Sequence, residues 1–231
     1  MKVEVDDEKL IVFMDICSST KIMEDLNANM DTDIWKFFHS NLFKIINKLN
    51  INNFFEIYKF TGDGYIFFFD IKENIGKDIL MFLKELCHSF KEEFKSTVDK
   101  SINIKIEPLG LTFGISNGLI KKLDIKINDS DEFISCGLNI ASRLQNSIKA
   151  ANNNSDNPAY QVLFLRSTFN KYFNYKELEK DFAYKDVERN MKNISNGIEK
   201  KCIRLSLLHE MNNFVKSEKK TDKSSNNEIK K

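Results

Sequence analysis

Residues 54–70 read FFEIYKFTGDGYIFFFD, and this stretch decides the reading of the fold. Phe54–Phe60 and Tyr65–Asp70 are runs of apolar and aromatic residues, separated by Thr61-Gly62-Asp63-Gly64. Asp-Gly between two such runs is the strongest short-range hairpin signal, because glycine supplies the positive φ that a tight turn needs. Upstream, Lys9–Met14 is a short apolar run that stops abruptly at Asp15, the pattern of a buried strand. Ser18, Ser19 or Thr20 can cap a helix there. Trp35, Phe38, Leu42, Ile45, Ile46 and Leu49 recur at three and four residues, which predicts an amphipathic helix reaching about Asn50.

Downstream of the hairpin, Ile79, Leu83, Leu86, Phe90 and Phe94 predict a second long helix. Ile102–Ile120 alternates and carries turn residues, so it is expected to form one bent strand or two. Leu138, Ile140, Ala141, Leu144 and Ile148 fit a helix that begins near Cys136. Tyr160–Leu165 reads as a strand, Ser167–Phe173 as a short helix and Cys202–Leu208 as a closing strand. Hairpins mixed with strand-helix units imply one α/β (α+β) domain, a sheet covered by helices, over residues 1–210. Residues 211–231 are expected to be a polar, solvated tail, since from Lys216 the chain is almost entirely Lys, Ser, Asn, Asp and Glu.

Composition narrows the possibilities. With 42% hydrophobic residues among 231 the chain can bury a sizeable core. The 35 Lys and Arg against 34 Asp and Glu leave a net charge of +1, which gives no electrostatic reason to expect a nucleic acid or an acidic membrane as partner. No apolar run approaches the ~20 residues that cross a bilayer. The charged segment Met1–Leu10 has no apolar core of a signal peptide, so a soluble, cytoplasmic protein is expected. Cys17, Cys87, Cys136 and Cys202 stand at no metal-ligand spacing, with one another or with His39, His88 and His209, and suggest a reducing compartment.

Two pairs of residues could do chemistry. Asp15 follows a strand and Asp63 sits in a hairpin turn; either alone would be an ordinary turn residue. If the strand and the hairpin are neighbours, both carboxylates project from one sheet edge. Paired acidic oxygens with open positions suit Mg²⁺ or Mn²⁺ that also binds a triphosphate. Asn139 and Arg143 are four apart on a helix and share one face, where Arg can fork onto a phosphate and Asn can hold an ether oxygen or hydroxyl.

Phe13-Met14-Asp15-Ile16 with Ser19-Thr20, then Lys59-Phe60-Thr61-Gly62-Asp63, then Gly137-Leu138-Asn139-Ile140-Ala141-Ser142-Arg143, resemble in order and spacing the catalytic domain of class III nucleotidyl cyclases. The resemblance covers roughly residues 8 to 208. It implies a ferredoxin-like domain, with a mixed, mainly antiparallel sheet, that works as a homodimer with active sites at the interface. It also implies two divalent metal ions (Mn²⁺ or Mg²⁺), held by Asp15, Asp63 and the Ile16 carbonyl. Asn139 would orient the ribose and Arg143 would stabilise charge on the α-phosphate. The turn Cys17–Thr20 would offer backbone N–H groups to phosphate, with Ser18 where many bacterial relatives carry Gly. A late lysine, Lys192 or Lys200, would clamp the triphosphate. Each site would take Asp15 and Asp63 from one subunit and Lys59, Asn139 and Arg143 from the other.

In this family the base is read by two positions, which here align with Lys59 and Glu132. Adenylyl cyclases pair Lys with Asp or Thr, and guanylyl cyclases pair Glu with Cys. Lys59 donates and ionised Glu132 accepts, a polarity that suits adenine, cytosine or uracil. Tyr58 and Phe60 beside Lys59, and the longer reach of Glu132, favour a smaller base. Tyr-Lys-Phe-Thr-Gly-Asp-Gly in a chain without a sensor region resembles the stand-alone pyrimidine cyclases of antiphage signalling (Pycsar), whose product is read by a separate effector. UTP is therefore the expected substrate, with CTP or ATP as the alternatives. A degenerate cyclase domain would have lost some of Asp15, Lys59, Asp63, Asn139 and Arg143, and none is missing. A diguanylate cyclase or polymerase palm would carry a second acidic residue in the hairpin and would leave Asn139 and Arg143 unexplained.

Overall fold

The computed structural model describes residues 7–127, 130–149, 157–189 and 201–208. Strand β1 (Asp7–Ile16) alternates: Leu10, Val12, Met14 and Ile16 face one side of the sheet, Ile11, Phe13 and Asp15 the other. Helices α1 (Ser19–Ala28) and α2 (Thr32–Leu49) follow, divided at Met30, which takes a left-handed conformation. The quoted hairpin forms as read, with β2 (Glu56–Phe60) and β3 (Gly64–Asp70) antiparallel. Helix α3 (Ile75–Thr97) then leads to β4 (Leu111–Ile127).

These elements order as β2-β3-β1-β4 with every neighbouring pair antiparallel. That is the ferredoxin-like arrangement, two split β-α-β units in which β3 and β1 each lie between the strands of the other unit. Beyond it come β5 (Ser130–Ile134), α4 (Cys136–Lys149), β6 (Gln161–Leu165), α5 (Arg166–Tyr172), α6 (Tyr175–Leu178), β7 (Ala183–Glu188) and β8 (Lys201–Ser206). Strand β6 joins β4 in parallel, the remaining pairs are antiparallel, and the sheet continues through β8 to β7.

The sheet has two unlike faces. The larger core packs α1, α2 and α3 on the face carrying Val12, Met14, Phe67, Phe69, Phe113 and Phe164. Helix α4 lies on the opposite face, over Ile11, Ile66, Phe68 and Leu163. Its approach is set at Gly114, where a Cβ would stand 2.0 Å from the Ala141 carbonyl oxygen and 2.5 Å from the Gln145 nitrogen. Only a residue without a side chain lets the helix backbone come this close.

Two expectations are corrected, and two strands are added. Residues 102–110 form no strand: Pro108 lacks a ladder donor and Gly110 has φ 151°, so the strand starts at Leu111 and runs on to Ile127. Strands β5 and β7 are polar and partly exposed (SDEFI and AYKDVE), so neither shows an apolar run. Phe60 is 48% exposed on the α2 face against His39 and Tyr65, so it does not share the face of Lys59. The expected tail, Lys192 and Lys200 lie outside the described residues.

Gly64 opens β3 directly opposite Asp15, and a Cβ there would stand 1.9 Å from the Met14 carbonyl oxygen. Gly64→Ala therefore forces β1 and β3 apart at the hairpin. A loss of about 3 kcal/mol in unfolding free energy is expected from such backbone overpacking, measurable by urea denaturation.

Candidate active site

Asp15 is the penultimate residue of β1, and Asp63 immediately precedes its register partner Gly64. The turn is closed by the Thr61 N–H donating to the Gly64 carbonyl at 3.0 Å. The pairing of β1 with β3 thus delivers both carboxylates to one end of the sheet. Asp15 is 8% exposed, and its Oδ2 accepts from Gln145 Nε2 at 3.1 Å. Asp63 Oδ2 accepts from the hydroxyl of Ser19, the first residue of α1, at 2.5 Å. Ser19 is buried and Thr20 exposed at the start of that helix. His39, half-buried among Trp35, Phe38 and Phe60, has its pKa pushed down by burial, with the charge of Asp63 pulling the other way.

The loop joining β1 to α1 departs in detail from what was expected. Ser18 adopts a left-handed conformation, and its hydroxyl donates to the Pro108 carbonyl at 2.9 Å rather than capping α1. The Cys17 N–H donates to the Gly110 carbonyl at 2.8 Å. Of the N–H groups expected to meet phosphate, that of Cys17 is therefore already engaged within the fold. Ile16 ends β1 with its side chain in the core, so its contribution could only be through the backbone.

The residues expected to read the base are brought together. Lys59 Nζ donates to both oxygens of Glu132 on β5, at 2.7 and 3.0 Å. The Tyr58 hydroxyl donates to Glu132 Oε2 at 2.9 Å and accepts from the Phe133 N–H at 3.2 Å. Adjacent strand residues normally face opposite sides, but β2 has a bulge between Ile57 and Lys59. The bulge turns Tyr58 and Lys59 to the same side. The Tyr58 ring then stacks on Phe68, centroids 4.8 Å apart, and meets Phe133 edge-on. Hydrogen bonds from Lys59 and Tyr58 hold the Glu132 carboxyl below its ordinary pKa, and Glu132 in turn raises that of Lys59. At neutral pH the pair is ionised, so Glu132 only accepts and Lys59 only donates. As pH falls through the lowered pKa of Glu132, this charge-assisted contact is lost.

Asn139 is exposed and Arg143 half-exposed on α4. At ~100° per residue, the face they share lies roughly opposite the one that carries Ala141 and Gln145. Ala141 and Gln145 are buried against the sheet, so Asn139 and Arg143 point away from the chain's own Asp15. Gln145 was not among the expected site residues. The available signal was a polar residue on the buried stripe Ala141, Leu144 and Ile148.

Two carboxylates and a backbone carbonyl form a hard oxygen donor set, which suits Mg²⁺ or Mn²⁺ with phosphate and water completing the shell. Among the described residues, no group of three or more His, Cys, Asp or Glu side chains is placed to hold a metal by itself. Such a set leaves coordination positions open for further oxygen ligands.

No protein-family profile and no curated protein matches this sequence. Solved structures do match in fold. The adenylyl cyclase CyaB of P. aeruginosa superposes with a TM-score of 0.59 at 18% identity, covering 86% of this chain and 93% of that one. The guanylyl cyclase Cya2 gives 0.59 at 12% identity, covering 86% and 90%. The guanylate cyclase domain of RhGC from Catenaria anguillulae, solved with GTP, gives 0.58 at 12% identity, covering 87% and 97%. The chain has the fold of class III nucleotidyl cyclase catalytic domains. No helix among the described residues is long and apolar enough to cross a membrane.

Proposed function

We propose that this chain is a nucleotidyl cyclase that converts a pyrimidine nucleoside triphosphate, UTP first, to the 3′,5′-cyclic monophosphate and pyrophosphate. The observation that carries the reading is the delivery of Asp15 and Asp63 to one sheet end by the β1–β3 register, within a cyclase fold. In the reaction the ribose 3′-oxygen bonds to the α-phosphorus and the bridging P–O bond to the β-phosphate breaks. The 3′-hydroxyl gives up its proton and pyrophosphate leaves. A divalent metal bound there would supply Lewis acidity to the 3′-hydroxyl and neutralise triphosphate charge. Asp15, Asp63 and the Ile16 carbonyl would hold it, with Ser19 fixing Asp63 and with Thr20 at the phosphate end.

Asn139 and Arg143 face away from their own carboxylates, which favours a homodimer in which they serve the partner's site. Asn139 would orient the ribose, and Arg143 would stabilise the charge that builds on the α-phosphate. A lysine of the 190–200 segment, Lys192 or Lys200, is the proposed triphosphate clamp. The product would be read by a separate effector, as in antiviral second-messenger signalling.

For the base, Lys59 would donate to uracil O4 and Glu132 would accept from N3–H. Neither contact requires the Lys59–Glu132 pair to break, since the ammonium has three donors and the carboxylate about four acceptor sites. Tyr58 holds Glu132 from one side and fills space, which favours a small ring. The test incubates the purified chain with Mn²⁺ and equal ATP, GTP, CTP or UTP, and identifies products by mass. UTP should give the highest rate. Glu132→Gln, which adds a donor where only an acceptor stood, should reduce discrimination against the other bases by roughly tenfold to a hundredfold. Cyclic AMP as the main product would replace the pyrimidine reading with that of an adenylyl cyclase.

A further inference from the structure

We propose that Gln145 is a positioning residue for Asp15, setting the plane of that carboxylate for metal binding; the inference rests on the cyclase reading above. Gln145 is 1% exposed on the apolar stripe of α4, where a polar side chain is costly unless its hydrogen bonds are made. Its Nε2 donates to Asp15 Oδ2 at 3.1 Å and to Thr112 Oγ1 at 2.9 Å, which uses both amide protons. Thr112 lies directly across from Asp15 in the β1–β4 register, and its hydroxyl donates to the Asp15 carbonyl at 3.3 Å. An ionised Asp15 only accepts, so the group facing it must be the amide nitrogen and not the amide oxygen.

Two features show that this contact is built into the fold. Gly114 removes the Cβ that would hold α4 off the sheet, and the Gln145 backbone is among the atoms such a Cβ would meet. Thr112 fixes the amide from the side away from β1, so one rotation of the Gln145 side chain satisfies both partners. The amide is neutral and cannot act as a second anion beside the cation. Its effect is to hold one oxygen of Asp15 in a fixed direction before metal and nucleotide arrive. Hydrogen-bond partners of metal ligands typically change metal affinity or activity by about 10- to 100-fold when removed.

The test compares wild type with Gln145→Met, which keeps side-chain length and loses both donors, and with Thr112→Val, which keeps shape and frees one amide proton. Two quantities are read: the Mn²⁺ concentration that half-saturates turnover, and the Mn²⁺ concentration at the midpoint of the metal-induced rise in melting temperature. Both should increase by about 10- to 100-fold in Gln145→Met and in the same direction by less in Thr112→Val. The KM for nucleotide at saturating Mn²⁺ should stay near that of wild type. If Gln145→Met does not fold, Thr112→Val carries the test. A variant that melts lower without Mn²⁺ but keeps the wild-type Mn²⁺ midpoints overturns the proposal and leaves the cyclase reading intact. A wild-type protein with neither a Mn²⁺ midpoint nor a cyclic product overturns both.

Discussion

Asp63→Ala is expected to lower turnover by about 10³-fold or more while leaving the fold intact. The site then loses one of the two carboxylates that the β1–β3 register brings to the sheet end, and the Ser19 hydroxyl loses its acceptor. Stabilisation of transferring phosphoryl charge is worth several kcal/mol, and each ~1.4 kcal/mol is tenfold in rate. Asp63 is a half-buried turn residue ahead of Gly64, so removing its carboxylate does not open the core. Initial rates with a saturating nucleotide, together with circular dichroism and sedimentation, check the result. A rate within tenfold of wild type would mean that Asp63 only shapes the turn.

The second large effect is expected from mixing two inactive subunits. Arg143→Ala should by itself cost about 10²- to 10³-fold, the range found when one positioned charge-stabilising donor is removed. Arg143 lies on the side of α4 away from the Asp15 of its own chain, so each composite site would draw its carboxylates and its arginine from different subunits. Co-expressed Asp63→Ala and Arg143→Ala chains should then form heterodimers with one intact site. Random pairing makes half of the dimers heterodimers with one good site in two, so recovery should approach roughly a quarter of the wild-type rate. A mixture that forms dimers yet stays as inactive as its parents would contradict the shared site.

Much of this architecture is legible in sequence because it depends on local signals. The Asp-Gly turn between apolar runs identified the β2–β3 hairpin, and the three-four periodicity from Trp35 to Leu49 identified α2. Strands β5 and β7 carry no such signal: they are polar and partly exposed, so burial leaves no periodic trace in them. Pro108 and Gly110 were visible, yet the alternation around them suggested a strand before Leu111 where the backbone cannot keep a ladder.

The candidate site is legible to the extent that its residues lie on motifs. The resemblance pairs Lys59 with Glu132, 73 residues apart, and the structure places them 2.7 Å apart. The placement of Tyr58 against Glu132 depends on a bulge, which alternation along a strand does not foretell; a regular strand would send Tyr58 and Lys59 to opposite faces. Gln145 could be recognised only as a polar interruption of the buried face of α4. Its partners, Asp15 and Thr112, lie 130 and 33 residues away in the chain, so only the folded sheet joins them.

The most direct test of the account is a product balance on the purified wild-type chain supplied with Mn²⁺ and UTP. Mass spectrometry should find 3′,5′-cyclic UMP, with one pyrophosphate released for each molecule formed and no linear monophosphate. Failure to form a cyclic monophosphate from UTP, CTP, ATP or GTP, in a protein shown to be folded and dimeric, would contradict it.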